Sequence, residues 1–221
     1  MRIVAVADTH LFHDELRVPE GDLFVHAGDL CRGGTLDELE RGLAWVRSLP
    51  HRFKVLVAGN HDWAFAREPA EARALAAGAG VLYLEDGGAE VGGLRVWGSP
   101  WQPTYYDWAF NLPRGRALAE KWARVPPGLD LLVTHGPPAG VGDRSSMGGR
   151  SGCDDLRARI AEVRPRVHLF GHIHEDGGAW AHEGTLFVNC TTWECERAPT
   201  VLDVEVTPGE ARVVSSPPPR R

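Results

Sequence analysis

Ten short β-rich runs recur along this chain, and the shortness of these runs limits the folds that the chain can adopt. Each run is four to six residues long, and several are apolar nearly throughout. Strands that are buried on both faces have this pattern, because the side chains on either side must be apolar. The predicted strands span residues 2–7, 23–27, 53–58, 81–84, 94–98, 131–135, 167–171, 185–189, 201–206 and 212–215.

Helical segments separate several of these strands in the first part of the chain, whereas the C-terminal part is mostly strands and turns. Thr35 begins the first helix, with Glu38 three residues later as in a capping box. The segment "AEVGGLRVWG" (89–98) has the pattern of a hairpin. The predicted helices run from Thr35 to about Pro50, from Pro69 to about Gly78, over about 114–124 and over about 154–164. This order predicts an α/β sandwich in which two mixed sheets face each other and helices cover their outer surfaces.

The length and charge of the chain restrict its organisation and its partners. With 221 residues it fits a single domain, which we assign to residues 1–215, followed by a flexible Pro-rich tail at 216–221. A net charge of −6 argues against binding to long nucleic acid or to an anionic membrane. The 4 cysteines form no C-x-x-C pair, and no apolar stretch is long enough for a signal peptide or a membrane span. We therefore expect a soluble, cytoplasmic protein with reduced thiols.

Polar and ionisable residues follow five of the predicted strands, where ligands of open α/β sheets bind. By themselves, Asp8-x-His10, Gly28-Asp29 and His135 are more typical of a turn or a strand end. The run 59–62 and the pair His172-x-His174 are as typical of a functional site as of a turn. Their coincidence at five strand ends, and their restriction to metal-ligand types, predict a metal centre. Gly28, Gly59 and Gly171 precede three of these groups and allow the backbone to turn sharply or to approach closely. The residues concerned are Asp8, His10, Asp29, Asn60, His61, Asp62, His135, His172 and His174.

The spacing of these residues suits two ions. In an extended chain, residues i and i+2 face the same side, so Asp8 and His10 can converge on one ion. The same rise puts the backbones of His172 and His174 about 7 Å apart, so they can bind one ion each of a pair about 3.5–4 Å apart. The carboxylate of Asp29 can bridge both ions, and Asn60 can bind through its amide oxygen. His61 then points elsewhere and is free to act as a general acid.

Five motifs in order resemble those of the calcineurin-like metallophosphoesterase superfamily: "DTH" (8–10), "GDL" (28–30), "GNHD" (59–62), "THGPP" (134–138) and "GHIHE" (171–175). The resemblance runs from residue 6 to about residue 190. The segments 98–115 and 164–175 are similar to a branch of small metallophosphoesterase-domain proteins that hydrolyse phosphodiesters, including cyclic nucleotides. Some animal members of that branch carry Gly at the position of His172, so the site of this chain is complete by comparison.

The resemblance implies a four-layer α-β-β-α sandwich of two mixed β-sheets and a role for each matched residue. Asp29 would bridge the two ions, and His61 would lie beside the leaving group. Asp8, His10 and His174 would hold one ion, and Asn60, His135 and His172 would hold the other. One departure is that "GDLCRGG" (28–34) lacks a second acidic residue that many members have. The partner that orients His61 is therefore unassigned; Asp62 either fills that role or stabilises the turn.

These features together predict a dinuclear metal-dependent phosphodiesterase. Hydroxide activated by two divalent transition-metal ions (Mn, Fe, Zn, Co or Ni) would attack a small phosphate ester such as a nucleotide. Phosphomonoesterase and protein phosphatase activities on the same site remain alternatives, as does a catalytically inactive scaffold of the same fold. A nuclease acting on long DNA is disfavoured, because it would need a basic channel. The sequence does not indicate an oligomeric state.

The roles of three further groups of residues have alternative interpretations. Aromatic residues near the motifs either stack on a nucleobase or only pack the site. Arginines near the motifs either hold a phosphate or are solvated, and five histidines outside the motifs read as structural or surface residues. The aromatic residues are Trp63, Trp101, Tyr105, Tyr106 and Trp108; the arginines are Arg32, Arg144 and Arg150; the histidines are His13, His26, His51, His168 and His182.

Overall fold

The computed structural model describes residues 1–146, 148–206 and 211–217. Its strands are β1 Arg2–Val6, β2 Leu23–Ala27, β3 Phe53–Val57, β4 Leu82–Tyr83, β5 Gly87–Val91, β6 Leu94–Ser99, β7 Gln102–Pro103, β8 Asn111–Leu112, β9 Leu131–Thr134, β10 Val167–Phe170, β11 Gly178–His182, β12 Thr185–Asn189, β13 Thr200–Val204 and β14 Ala211–Ser215. Its α-helices are α1 Leu36–Ser48, α2 Trp63–Arg67, α3 Pro69–Gly78, α4 Arg116–Trp122 and α5 Asp154–Val163. Short 3₁₀ turns lie at His13–Glu15 and His174–Asp176.

Two six-stranded mixed sheets form the centre of the molecule. Sheet one has the order β14-β13-β1-β2-β3-β4, and sheet two has the order β11-β12-β10-β9-β6-β5. Strands β1, β2 and β3 are mutually parallel in sheet one, as are β6, β9, β10 and β12 in sheet two. The antiparallel strands lie towards the edges of the sheets. The parallel strands at the centre of each sheet therefore end at a common edge.

Three apolar clusters separate four layers. The inner cluster lies between the sheets and includes Ile3 and Ala5 of β1 together with Leu131 and Val133 of β9. The alternate residues of β1 turn outwards into a second cluster with α1 and α3, and α4 and α5 cover the outer face of sheet two in a third. Alternation along a strand delivers apolar side chains to both faces, which is why these strands are apolar throughout. The predicted α-β-β-α sandwich is confirmed.

All ten predicted strands and all four predicted helices are present. The predicted hairpin is formed by β5 and β6, and Gly92 (φ 57°) and Gly93 (φ 88°) adopt the positive φ angles that its tight turn requires. The sequence reading missed β7, β8, β11 and the five-residue helix α2, because elements this short or this polar carry little periodicity.

The capping box at the start of α1 is half formed. The Thr35 hydroxyl accepts from the Glu38 N–H at 3.3 Å, as predicted. The Glu38 carboxylate instead accepts from the backbone N–H groups of Arg32, Gly33 and Gly34. It therefore holds the loop that follows β2, and this loop lies next to the predicted metal ligands.

The C-terminal residues are described only in part. The predicted tail covers 216–221, and its residues from 218 onwards lie outside the described part of the chain. The carbonyl of Pro217 accepts a hydrogen bond from the guanidinium of Arg197 at 2.7 Å. Among the described helices, none combines the length and the apolar character needed to cross a membrane.

His168 links stability to pH. It lies fully buried in β10, bonded to the Thr134 hydroxyl at 2.8 Å, and burial lowers its pKa from 6.5 to about 3. Below pH 6.5 the unfolded chain takes up a proton at this residue and the folded chain does not, so acid favours unfolding until the pH nears 3. Between pH 7.5 and 5.5 this one histidine should reduce the free energy of unfolding by about 1.4 kcal/mol. His168→Gln should remove that part of the pH dependence in urea unfolding.

His182→Gln is the matched control, because the His182 side chain is half exposed at the surface. This variant should keep the pH dependence of the wild type. If His168→Gln lost stability between the two pH values by as much as the wild type does, buried His168 would not be the source of the effect.

Candidate metal centre

The carboxyl ends of five central strands meet at one edge of the sandwich. Asp8, Asp29 and Asn60 lie just beyond β1, β2 and β3 of sheet one, and His135 and His172 lie just beyond β9 and β10 of sheet two. The two sheets are joined at this edge: the Ala7 N–H donates to the Cys190 carbonyl at 3.1 Å. Within sheet two, the Gly171 N–H donates to the His135 carbonyl at 2.9 Å. The parallel register thus delivers residues that are distant in sequence to one place.

The backbone turns sharply at these strand ends. Asp8 (φ 57°), His10 (φ 43°), Asp29 (φ 58°) and His172 (φ 70°) are all in the left-handed region. The extended chain assumed for residues i and i+2 in Asp8–His10 and His172–His174 is therefore wrong, and His174 opens a 3₁₀ turn. Non-glycine residues in this conformation cost about 1 kcal/mol or more each and cluster at functional sites.

The side chains predicted to bind metal come together in two adjacent groups. The potential ligand atoms of Asp8, His10 and His174 lie within 4.8 Å of one another, as do those of Asp29, His135 and His172. Asp29 also lies in a third group, with His10 and His61. The structure therefore brings together all eight residues of the predicted site. The short distances are His135 Nε2 to Asn60 Oδ1 2.9 Å, His135 Nε2 to Asp29 Oδ2 3.4 Å, His174 Nε2 to Asp8 Oδ1 3.7 Å and His10 Nε2 to Asp29 Oδ2 3.8 Å.

The chemistry of these donors fits divalent cations. Nδ1 of His10 lies 3.1 Å from the Cys31 carbonyl, and Nδ1 of His135 lies 3.0 Å from the Ala27 carbonyl. Each ring thus donates from Nδ1 to the backbone and presents Nε2 to the carboxylates, the arrangement typical of metal-binding histidines. Asp8 and Asp29 are almost entirely buried, and buried carboxylates need compensating charge. The set is mixed nitrogen and oxygen without thiolate, which suits transition metals such as Mn, Fe, Zn, Co and Ni.

The ionisation of the group around Asp29 is set by its neighbours. Burial alone would raise the pKa of Asp29, but the charge and hydrogen bond of His135, together with the charges of His10 and His61, outweigh burial and hold this pKa well below its usual range. Burial alone would lower the pKa of His135, but the charge and hydrogen bond of Asp29, together with the charge of Asp8 and the Ala27 carbonyl, raise it to about 9. Burial, with His135 beside it, lowers the pKa of His172 to about 4. His172 is therefore neutral near pH 7, and its lone pair is available to a cation.

His61 is held in a fixed orientation beside this group. Its Nδ1 lies 2.6 Å from the Arg32 carbonyl, and its backbone N–H donates to Asp29 Oδ1 at 2.8 Å. Its ring packs against Trp108 at a centroid distance of 4.0 Å and against the edge of His10 at 4.6 Å. Nε2 is left as the ring nitrogen available to a bound molecule.

Asp62 stabilises the turn, the second of the two roles considered for it. Its carboxylate accepts from the N–H groups of Gly59 at 2.8 Å, Asp29 at 2.9 Å and Cys31 at 2.9 Å. Burial, together with the nearby charge of Asp29, raises its pKa. The orienting contact of His61 comes from the Arg32 carbonyl. A backbone carbonyl leaves no mark in the sequence, so this partner of His61 could not be predicted from it.

The aromatic and arginine residues near the motifs divide between the site and the core. Trp63 and Trp101 pack on the cluster outside sheet one, which supports packing as their role. Trp108 packs on His61, while Tyr105 and Tyr106 stand exposed at the mouth of the cavity that contains the metal-ligand group. Arg150 pairs with the buried Asp143, Arg32 lies over the Phe12 ring, and Arg144 lines a separate cavity. None of the three arginines lines the cavity that contains the metal-ligand group, and none lines the neighbouring cavity beside His172 and His174.

A cavity of about 410 Å³ adjoins the centre at His172 and His174. Its lining includes residues that sequence reasoning did not select. Glu175 could have been identified from the sequence, since it directly follows His174 in "GHIHE", but no sequence pattern identifies the others. They are Arg114, Ser145, Ser146, Ser151, Glu175 and Trp193.

Known proteins are similar to this chain in sequence or in fold. Metallophosphoesterase domain-containing protein 1 from Homo sapiens is 38% identical over 230 residues, covering 92% of this chain and 71% of that protein. TT1561 of Thermus thermophilus matches the fold with a TM-score of 0.60 at 14% identity, covering 96% of this chain and 97% of that one. Phosphopantetheinyl hydrolase (PptH) from Mycobacterium tuberculosis does so with a TM-score of 0.58 at 16% identity, covering 86% and 88%.

A match to a family model supports the assignment of this chain to a family more strongly than these individual similarities do. The model described as calcineurin-like phosphoesterase matches residues 1–176, which contain every residue of the clustered site. The two solved structures support the fold alone at their level of identity, whereas the human relative extends the match over nearly all of this chain. On this basis the chain belongs to the calcineurin-like phosphoesterase family and is a metal-dependent hydrolase of phosphoesters.

Proposed function

We propose that this protein is a dinuclear metal-dependent phosphodiesterase that hydrolyses small phosphodiesters such as cyclic nucleotides. The observation that carries the proposal is the pair of neighbouring ligand groups, which are connected because Asp29 of one group also lies close to His10 of the other. In this proposal Asp29 would serve both ions. Asp8, His10 and His174 would hold one ion, and Asn60, His135 and His172 would hold the other. Two divalent ions bound there would supply a hydroxide nucleophile near neutral pH and neutralise charge on the phosphoryl oxygens.

The protein would contribute orientation and a proton. His61 would donate a proton from Nε2 to the departing alkoxide, since its Nδ1 is occupied by the Arg32 carbonyl. The Trp108 ring at 4.0 Å restricts rotation of the imidazole, so the proton is held at one place. Asp62 would act one step away, by fixing the turns that carry Asp29 and Asn60.

A small diester suits the surroundings of the centre. The adjoining cavity of about 410 Å³ has the size of a small-molecule site, and the net charge of −6 disfavours long nucleic acid. We also propose a reducing, cytoplasmic setting, which four free thiols support. A phosphomonoesterase or protein phosphatase would use the same ligands, and an inactive scaffold of this fold would show no metal-dependent turnover.

His61→Ala tests the general acid. We expect turnover of a diester with an alkoxide leaving group to fall by about 10²-fold or more, because the departing oxygen then lacks its proton donor. Hydrolysis of bis-p-nitrophenyl phosphate should fall less, since nitrophenolate leaves without one. Metal content, measured by inductively coupled plasma mass spectrometry, should stay at the wild-type level. His182→Ala serves as a control at the surface, and wild-type turnover by His61→Ala would remove His61 from the chemistry.

Asp29→Asn tests the bridge. The substitution removes the negative charge shared by the two groups, so metal content and activity should fall together, with the loss of at least one ion per chain. Asp37→Asn in the first turn of α1 changes the net charge equally and should retain both. An Asp29→Asn protein that kept two ions per chain would exclude the bridging role.

The substrate class is tested by a panel of phosphate esters with each metal added in turn. The panel comprises bis-p-nitrophenyl phosphate, p-nitrophenyl phosphate, 2′,3′- and 3′,5′-cyclic nucleotides and a phosphopeptide. The proposal predicts that the diesters and cyclic nucleotides are preferred. Preference for p-nitrophenyl phosphate or the phosphopeptide would favour the alternative phosphatase activities. No metal-dependent hydrolysis of any substrate would favour the inactive scaffold.

A further inference from the structure

The segment that carries His172 and His174 crosses the end of a strand. Strands β10 and β11 lie on either side of β12, so the connection between them, residues 171–177, passes over the carboxyl end of β12. Asn189 is the last residue of β12, and it pairs with the last residue of β10 on one side and with the first residue of β11 on the other. Asn189 therefore lies beneath this crossing segment.

The side chain of Asn189 binds the crossing segment by hydrogen bonds. It is buried, and its Nδ2 donates to the carbonyls of Ile173 at 2.8 Å, Asp176 at 3.1 Å and Gly142 at 3.2 Å. Its Oδ1 accepts from the backbone N–H two residues later at 3.2 Å, so both polar atoms of the amide have partners and its orientation is defined. Two of the three carbonyls belong to the crossing segment, and they flank His174.

The turn that presents His174 has little support of its own. His174 opens a 3₁₀ turn of three residues. The Asp176 N–H donates to the Ile173 carbonyl at 3.4 Å, which is long for a backbone hydrogen bond. The same carbonyl accepts from Asn189 at 2.8 Å, and the Asp176 carbonyl accepts from it as well. The amide of Asn189 thus holds both ends of the turn.

His172, near the start of the crossing segment, has anchors that do not involve Asn189. Its N–H donates to both carboxylate oxygens of Asp8 at 3.1 Å. The residue before it donates its N–H to the His135 carbonyl at 2.9 Å. Loss of the Asn189 amide should therefore displace His174 more than His172.

We propose that Asn189 is a positioning residue that fixes the crossing segment so that His174 reaches its ion. The inference rests on the proposed dinuclear centre, in which Asp8, His10 and His174 would hold one ion. Without the amide, two carbonyls of the crossing segment lose their donor and the turn is free to move. The ion beside Asp8 and His10 would then bind more weakly, whereas the other ion would keep its ligands.

Titration calorimetry of the metal-free protein with Mn²⁺ tests this proposal. Asn189→Leu preserves the approximate size of the side chain and removes its hydrogen-bonding groups. The wild type should bind two ions per chain. In Asn189→Leu one ion should bind as in the wild type and the other about 10- to 100-fold more weakly, as is typical when a group that orients a metal ligand is lost. A higher Mn²⁺ concentration should restore the second ion.

Anomalous diffraction identifies the ion that is weakened. In Asn189→Leu crystals soaked at a limiting Mn²⁺ concentration, the peak beside Asp8 and His10 should lose occupancy. The peak beside Asn60 and His135 should stay at the occupancy that it has in the wild type. A loss of stability without a defined role at the centre would not produce this selectivity.

Thr185→Val is the matched control. Thr185 is the first residue of the same strand, it is buried, and its hydroxyl donates to the Pro165 carbonyl at 2.7 Å. This variant thus also removes a side-chain donor from β12, but at the end away from the centre, and it should bind both ions as the wild type does. Asn189→Ser, a change that keeps a polar side chain, is measured beside Asn189→Leu in case the latter does not fold.

Four results would overturn the role of Asn189. They are wild-type affinity for both ions in the Asn189 variants, equal weakening of both ions, selective loss of the peak beside Asn60 and His135, and failure of both Asn189 variants to fold, which would indicate a general structural role. A wild-type protein that binds fewer than two ions per chain would instead contradict the proposed dinuclear centre, and this inference with it.

Discussion

The buried carboxylate of Asp29 is the constraint on which the rest of the centre depends. It has almost no exposure to solvent, and a buried anion is costly unless positive charge or hydrogen bonds surround it. In the structure its oxygens meet the His61 N–H and the rings of His135 and His10. A single carboxylate thus gathers groups from both sheets. The histidines that compensate it have their other ring nitrogen on a backbone carbonyl, so the whole group is fixed before any ligand arrives.

The close packing of these groups restricts which residues can occupy the neighbouring positions. A Cβ on Gly59 would lie 2.2 Å from Asp29 Oδ1, and one on Gly28 would lie 2.3 Å from His135 Nδ1. A Cβ on Gly171 would lie 2.7 Å from Asp8 Oδ2. Larger residues at these three positions would push the ligands apart. A tight turn at each strand end directs one polar side chain to the centre. The glycines and the left-handed conformations of Asp8, Asp29 and His172 together make these turns possible.

The sequence predicts the layers well because binary patterning decides them. Strands with apolar residues on both faces must lie between two apolar layers, and the structure has the expected sandwich. The clustering of the site residues was also predictable, because the carboxyl ends of parallel strands converge. Their local conformation was not. The extended geometry assumed at Asp8–His10 and His172–His174 gives way to left-handed turns, which depend on hydrogen bonds between strand ends such as Asp8 N–H to the Gly28 carbonyl.

Contacts made by backbone atoms, or by side chains scattered along the chain, could not be predicted from the sequence. The Arg32 carbonyl beside His61 and the cavity formed by Arg114, Ser146 and Glu175 arise only when distant loops meet. The role of Asp62 had two interpretations from sequence, and four backbone N–H groups from two loops now supply the reason for the turn-stabilising one.

The proposed centre divides two ions between the two ligand groups, with His172 on one ion and His174 on the other. Anomalous diffraction from Mn²⁺-soaked crystals of the wild type, His172→Ala and His174→Ala tests it most directly. Two bound ions should give two peaks in the wild type, separated by about 3.5–4 Å. His172→Ala should lose the peak beside Asn60 and His135, and His174→Ala should lose the peak beside Asp8 and His10. A single wild-type peak would contradict a dinuclear centre, and loss of the same peak in both variants would contradict the division of His172 and His174 between two ions.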